Sequence, residues 1–420
     1  MSSSLTKNAV LTLFANLSFA LTNWLLLVII AKEYDAVFLG QFVLALSVIS
    51  PIFLLFSLKL RTLLVVDLDG EYTSEQYLGT RLFTNTMGLL LALLIGVLFY
   101  QNIPLILFLL IALYKWFDGW SELFYAYYHR SGCFKTATIS QCLRSLLSIM
   151  VIIIMAQTSL SALWMIVGWV LISGLFSIID ALFFTKIRFQ LDSTATRWLT
   201  LFNPFYWFKS PLLIAKKYYT LGLALVVGAM FVYIPNFVIE KYSGIAAAGQ
   251  FAAVSYFLIA GGILIHSVSQ ASSPRLASLA KAGDWQSFTS LTTKMCLIGA
   301  AIGLSGIVVA IVFGEFFLRL FYNAEIAQLS TELIWVLIAA AIRYVYIFIG
   351  TAMNALKQFQ VQTYIYTVGT LSVLISCLLL VPSQGTLGAA KAMVIATLVE
   401  GILFAYFFWK NLHKRQLSND

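Results

Sequence analysis

The sequence predicts an all-α polytopic membrane protein: twelve transmembrane helices in two six-helix lobes related by a pseudo-two-fold axis along the membrane normal. Three observations carry that reading. Of 420 residues, 61% are apolar and only 10% charged, at a mean hydropathy of +0.93. Soluble domains sit near half apolar and a quarter charged. Apolar windows long enough to cross about 30 Å of hydrocarbon recur along the chain in a pattern of six, a gap, and six more. A short motif, Gly-Gln-Phe, returns at equivalent points of the two halves.

Taken in order, the windows fall near 8–31, 37–58, 82–100, 103–128, 134–155 and 163–184, then 219–239, 249–272, 295–317, 330–351, 359–381 and 387–409. The opening MSSSLTKNAV runs into the first window without a small-residue cleavage site, so it reads as a retained helix and not a removable signal. Pro51 and Pro235 interrupt windows two and seven, as spanning helices tolerate. The gap, 185–218, is the longest polar stretch; it is basic and carries Trp198, Phe202, Phe205, Tyr206 and Trp207. It is expected to lie along the interface as an amphipathic cytoplasmic linker. The domain organisation is therefore an N-terminal lobe over 1–184, the linker, a C-terminal lobe over 219–409, and a cytoplasmic tail over 410–420.

Orientation follows from the basic residues of short loops. With both termini cytoplasmic, the inner segments hold nineteen Lys and Arg, and the outer loops hold three: Lys32, Lys241 and Arg319. The net charge of +9 is thereby explained by cytoplasmic loops and anionic lipid head groups, with no need of a nucleic acid. Four scattered cysteines form no CxxC pair, so neither a disulfide framework nor a metal site is expected.

The halves also resemble each other. Gly40-Gln41-Phe42 opens window two and Gly249-Gln250-Phe251 opens window eight, an offset of half the chain. Gly79-Thr80-Arg81 has a counterpart in Thr292-Thr293-Lys294 at the start of window nine. Six spans per half give the two lobes the same orientation. Parallel repeats of this kind place a substrate site between the lobes near the midplane.

Charge at mid-bilayer depth costs at least a few kcal/mol per residue, so charged residues inside the windows stand out. Lys115, Arg144, Arg343 and Lys391 are the basic ones; Asp118, Glu122, Asp180, Glu332 and Glu400 are the acidic ones. Asp180, Glu332 and Lys391 lie near window ends and are expected to reach the interface. On window four, Lys115, Asp118 and Glu122 are spaced i, i+3, i+7 and share one helical face. They form either a closed Lys115–Asp118 pair or a polar stripe on a wet vestibule, with Arg144 at similar depth. The flanking Tyr114, Trp116, Phe117 and Trp120 are expected to face lipid or to pack, in preference to forming sugar platforms. Arg343 has no acid within a turn, so it faces a cavity or takes Glu400 from window twelve. Glu400 is also a candidate proton carrier. Asn16 and Asn23 share a face of window one, suited to a hydroxyl-rich ligand or to helix–helix hydrogen bonds. Arg61, at the inner end of window two, sits where an anionic head group would first be met.

Absent motifs narrow the class. There is no G-x-x-x-x-G-K-[ST], G-x-S-x-G or H-E-x-x-H, and the outer loops are too short for an enzyme site. The chain is expected not to be an enzyme.

The stretch NWLLLVIIAKEYDAVFLGQFVLALSVISPIFLLFSLKLRTLL resembles the first two spans of bacterial polysaccharide transporters, the Wzx-type O-antigen and capsule flippases of the multidrug/oligosaccharidyl-lipid/polysaccharide exporter superfamily. The parallels are Asn23-Trp24, Gly40-Gln41-Phe42, the Ser-Pro-Ile-Phe run, and Leu-Lys-Leu-Arg ending in Arg61. KWFDGWSELFYAYYHRSG is similar to the family's acidic span-four region, although His129-Arg130 stands where a glutamine-plus-basic pattern is common. The specific likeness covers roughly the first 150 residues.

The resemblance implies two lobes around a cavity opening alternately to each side of the bacterial inner membrane. Its cargo would be an oligosaccharide on undecaprenyl pyrophosphate, for O-antigen, capsule or exopolysaccharide assembly. Protons or sodium are the implied coupling ions and no other cofactor or metal is expected. Membrane lipids, a polysaccharide polymerase and chain-length proteins are the implied partners. Lys115, Arg144, Arg343, Arg61 and Asn23 then become candidate substrate-binding residues, and Asp118, Glu122 and Glu400 candidate coupling residues. The rival readings are a cation-coupled multidrug exporter of the same superfamily and a membrane-embedded polymerase or ligase.

Overall fold

The computed structural model describes residues 2–66, 71–158, 161–191 and 204–416, and among these residues there is no strand. Thirteen helices follow in order: α1 Ser2–Glu33, α2 Ala36–Ser57, α3 Leu60–Val66, α4 Ser74–Phe99, α5 Leu105–Arg130, α6 Phe134–Ala156, α7 Ala162–Leu191, α8 Pro204–Ser243, α9 Ile245–Ala282, α10 Trp285–Phe321, α11 Ala324–Ala327, α12 Ser330–Ala355 and α13 Phe359–Gln416. Two are short connectors, α3 and α11. The helix α13 is two helices joined at a kink, where Gly385 has non-helical φ/ψ of 57° and −133°. Among the described residues ten helices are long and apolar enough to cross a membrane. The kink divides one of them into two spans, and the charge-bearing α5 supplies the remaining one. The twelve expected windows thus each fall on helix.

The chain divides into two compact units. The first comprises residues 1–33 and 45–226; the second comprises 34–44 and 227–420. The expected linker lies outside the described residues over 192–203. Its remainder is helical, as the end of α7 and the first turns of α8. The expected tail is helical to Gln416.

In the first unit α1 packs on α6, α6 on α7, and α5 lies against α3, α4, α6 and α7. α2 stops at Ser57, where Leu58 and Lys59 take positive φ and turn the chain into α3, which begins at Leu60 and carries Arg61. α4 starts earlier than its apolar window. Thr73 accepts a hydrogen bond from the Gln76 N–H while the Gln76 side chain accepts from the Thr73 N–H. This capping box satisfies two of the helix's orphan donors and fixes where it begins.

In the second unit α12 is central, packed on α9, α10 and α13. Its neighbours approach closely because they offer glycine: a Cβ on Gly303 would lie 2.5 Å from Ala341 and one on Gly299 would lie 2.7 Å from the Tyr344 carbonyl oxygen. Small residues of this kind let apolar helices come together in a membrane.

The repeated Gly-Gln-Phe motif finds its reason here. Residues 34–44 belong to the second unit, and there the start of α2 meets the start of α9. A Cβ on Gly249 would lie 2.5 Å from the Gly40 nitrogen, and one on Gly40 would lie 2.0 Å from the Ile245 carbonyl oxygen. Gly249 leaves out the side-chain carbon that would strike the Gly40 backbone, and Gly40 the one that would strike Ile245, one turn before Gly249. Phe42 and Phe251 behind them are both buried. Gly40→Ala should therefore lower the melting temperature of the purified protein by several degrees. Gly228→Ala, on α8 with nothing within 4 Å of its added carbon, should leave it unchanged or raise it, since alanine is the better helix former.

Candidate functional site

Small residues let α5 pack closely on its neighbours. Gly119 lies against Asn85 of α4, whose side-chain amide donates to the Trp116 carbonyl at 3.0 Å. Gly174 of α7 receives the Phe117 ring. Tyr114 stacks on Trp169 with ring centroids 3.6 Å apart, and Trp116, Trp120 and Phe124 continue as a ladder of ring contacts. These aromatics pack, as expected.

With α5 so placed, its acids meet cations from two neighbouring helices. Arg144 Nη1 of α6 lies 3.1 Å from Asp118 Oδ1, with side-chain exposures of 4% and 27%. Arg81 Nη2 of α4 lies 3.5 Å from Glu122 Oε2, with exposures of 2% and 40%. In both pairs the guanidinium is sealed and the carboxylate reaches the accessible surface. The Arg144 guanidinium also lies over the rings of Phe19 and Tyr114, 5.9 and 5.7 Å from their centroids. Asp180 of α7 is the third acid of this cluster, 1% exposed, its Oδ1 accepting from the Ser140 hydroxyl at 2.6 Å. Burial is therefore a correction for Asp180, which was expected to reach the interface.

Arg144 is likewise not open to an incoming anion: Asp118 neutralises it inside the protein. Of the two alternatives for the stripe, the Lys115–Asp118 pair is not formed, because Arg144 occupies the carboxylate. Lys115 is half-buried and makes no ion pair among the described residues, its ammonium lying 5.7 Å from the Tyr114 centroid. Asn23 spends its side chain on helix contacts. Its amide donates to the Phe19 carbonyl at 3.1 Å, and its Oδ1 accepts from the Tyr114 hydroxyl at 3.4 Å. Arg61 is half-buried on α3.

The second unit holds a smaller constellation. Arg343 sits at the middle of α12, its guanidinium 4.7 Å from the centroid of the Phe231 ring of α8. Among the described residues no carboxylate lies within ion-pair distance of it, and its Nη1 has no hydrogen-bond partner. Glu400, 1% exposed on α13, does not pair with Arg343. Its Oε2 accepts from the Tyr346 hydroxyl instead, and the carboxyl packs directly on Gly369. Glu332, expected to reach the interface, accepts from Thr386 at 2.8 Å.

Two participants escaped the sequence reading: Arg81 and Tyr346. For Arg81 a signal existed. Thr73-Ser-Glu-Gln76 is a capping-box pattern that starts the helix a full two turns earlier and takes Arg81 out of the loop. Tyr346 carried none, since a tyrosine in an apolar helix is ordinary.

Comparison with known proteins gives the same architecture. No protein-family model matches the chain. Capsular polysaccharide biosynthesis protein CapF of Staphylococcus aureus is 28% identical over 410 residues, 96% of this chain and 98% of that protein. The likeness therefore runs nearly end to end, well beyond the first 150 residues. The inward-facing conformation of a MATE family multidrug resistance transporter of the MOP superfamily superposes at a TM-score of 0.68 with 13% identity, covering 98% of this chain and 96% of that one. The lipid II flippase MurJ in its inward closed conformation superposes at 0.69 with 15% identity, covering 99% and 89%. The chain has the fold of the MOP superfamily transporters, and the resemblance drawn from its first two spans is borne out.

The two pairs of the first unit are asymmetric, which sets an expected order of damage. A guanidinium cannot shed its charge, and removing one partner of a buried pair costs about 3–5 kcal/mol. Asp118→Ala, which strands the sealed Arg144, should destabilise by that amount. Arg144→Ala should cost less, because Asp118 is the more exposed partner. The double variant should recover more than half of the Asp118→Ala loss in melting experiments on the detergent-solubilised protein.

Proposed function

We propose that this multi-pass membrane protein moves an undecaprenyl-pyrophosphate-linked oligosaccharide from the inner to the outer leaflet of the bacterial cytoplasmic membrane by alternating access, in the assembly of a surface polysaccharide. The observation that carries the reading is Arg343, a mid-span guanidinium with no carboxylate at ion-pair distance among the described residues. An ionised side chain at that depth needs water or an opposite charge, and a pyrophosphate supplies the latter. Lys115, half-buried and without an ionic partner among the described residues, is the second cation of the same kind. The likeness to a capsular polysaccharide biosynthesis protein supports an anionic glycan intermediate over a cationic drug.

In this reading Arg144 and Arg81 have a different role from the one their charge suggests. They position Asp118 and Glu122, whose exposed oxygens are the groups available to take up a coupling proton or sodium ion. In this reading both termini are cytoplasmic, the orientation that puts the excess of basic loop residues on the inner side. A polymerase and chain-length proteins are the partners that would consume the delivered unit.

The reading is tested by Lys115→Gln and Arg343→Gln, singly and together, with surface glycan display as the readout. Each single variant should reach the membrane at the normal level and lower display about tenfold, the effect of losing roughly 1.4 kcal/mol of binding to the charged carrier. Full display from the double variant would overturn the electrostatic reading.

A further inference from the structure

The geometry points to a second anion site, outside the polar clusters of the spans, that holds the phosphate of an anionic phospholipid between α9 and α10. These helices are far longer than the membrane requires. α9 has 38 residues and α10 has 37, about 56 Å each at 1.5 Å per residue, against about 30 Å of hydrocarbon. Their shared turn, around Gly283 and Asp284, therefore projects beyond the slab. Where the hairpin leaves the apolar region it frames an open cleft of about 370 Å³.

The lining fits a phosphodiester. Arg275 comes from α9; Lys294, Gln286, Ser287 and Ser290 come from α10. That gives two cations from two helices, with two hydroxyls and an amide between them. Arg275 and Lys294 are exposed and have no ionic partner among the described residues. The remaining wall is Leu279 and Leu291. The α10 N-terminus is not itself the site: Asp284 already accepts from the Ser287 N–H at 3.0 Å. That hydrogen bond holds the Asp284 carboxyl below its ordinary pKa, so the cap stays ionised.

Depth and surroundings select a lipid over a soluble phosphate. Lys294 immediately precedes the apolar run 295–317, and Arg275 follows the apolar run 249–272 by three residues, so both cations stand at head-group level. On the same face of α10 as Lys294 lie Ile298, Val308 and Val312, exposed at 46%, 59% and 62%. An acyl chain attached to a phosphate in the cleft has an apolar track to follow. With the orientation adopted above, the leaflet is the cytosolic one, where juxtamembrane basic groups meet anionic lipid. The inference does not depend on what the protein transports.

The test uses the full-length protein purified in dodecyl maltoside, with melting temperature read against added phosphatidylglycerol, phosphatidylcholine, glycerol phosphate and inorganic phosphate. Phosphatidylglycerol should raise the melting temperature by several degrees and the other three should not. Arg275→Gln/Lys294→Gln should lose most of that shift while melting normally without lipid. Arg130→Gln/Lys135→Gln, an equal loss of exposed charge on another loop, should keep it. Native mass spectrometry of the same samples should show one fewer bound phosphatidylglycerol for the α9/α10 variant alone. A full shift and unchanged lipid count in that variant would overturn the site. A shift of equal size with inorganic phosphate, lost in the same variant, would overturn the lipid as its occupant.

Discussion

The structure of the first unit depends on the cost of holding a guanidinium in an apolar bundle. Arg144 and Arg81 are permanently charged, almost fully enclosed, and each within 3.5 Å of a carboxylate on α5. A pair of this kind stabilises little against a well-packed apolar alternative, yet removing either half is expensive. Its effect is therefore to fix register. α4 and α6 can slide along α5 only by separating charge, the close approach at Gly119 against Asn85 holds α4 in the same alignment sterically, and that at Gly174 against Phe117 seats α7. What remains for function is the exposed edge of Asp118 and Glu122.

Much of this was legible in the sequence. Hydropathy and length located all twelve spans, because in hydrocarbon every backbone polar group must be satisfied within a helix or a closed barrel. The i, i+3, i+7 stripe on α5 was legible for the same kind of reason: helix geometry alone puts Lys115, Asp118 and Glu122 on one face. Pairing was not legible. Asp118 had a local candidate in Lys115 and a distant one in Arg144, and only the packing of α5 on α6 chooses between them. Glu400 had Arg343 at matching depth, yet Tyr346, one turn along the same helix, takes the carboxylate. Depth along two helices says nothing of their rotation about their own axes, and rotation decides which side chains meet.

The duplicated Gly-Gln-Phe motif was legible as a repeat but not as a contact. Identical triplets half a chain apart are what a duplicated gene leaves behind, whether or not they touch. Here Gly40 and Gly249 face one another so closely that neither tolerates a Cβ. Residues 34–44 consequently pack with the second unit, while the rest of α2 packs with the first.

Seen through these contacts, the cations of the protein fall into three electrostatic classes. Arg81 and Arg144 are neutralised internally, so any ligand meets the acids that face outward beside them. Arg343, and with it Lys115, has no carboxylate within ion-pair distance among the described residues. Arg275 and Lys294 stand at the membrane boundary, where hydration is cheap and a lipid phosphate is always at hand. Because Coulomb attraction is several times stronger at low effective dielectric than in water, only the middle class can give an anionic cargo a large preference for mid-span depth.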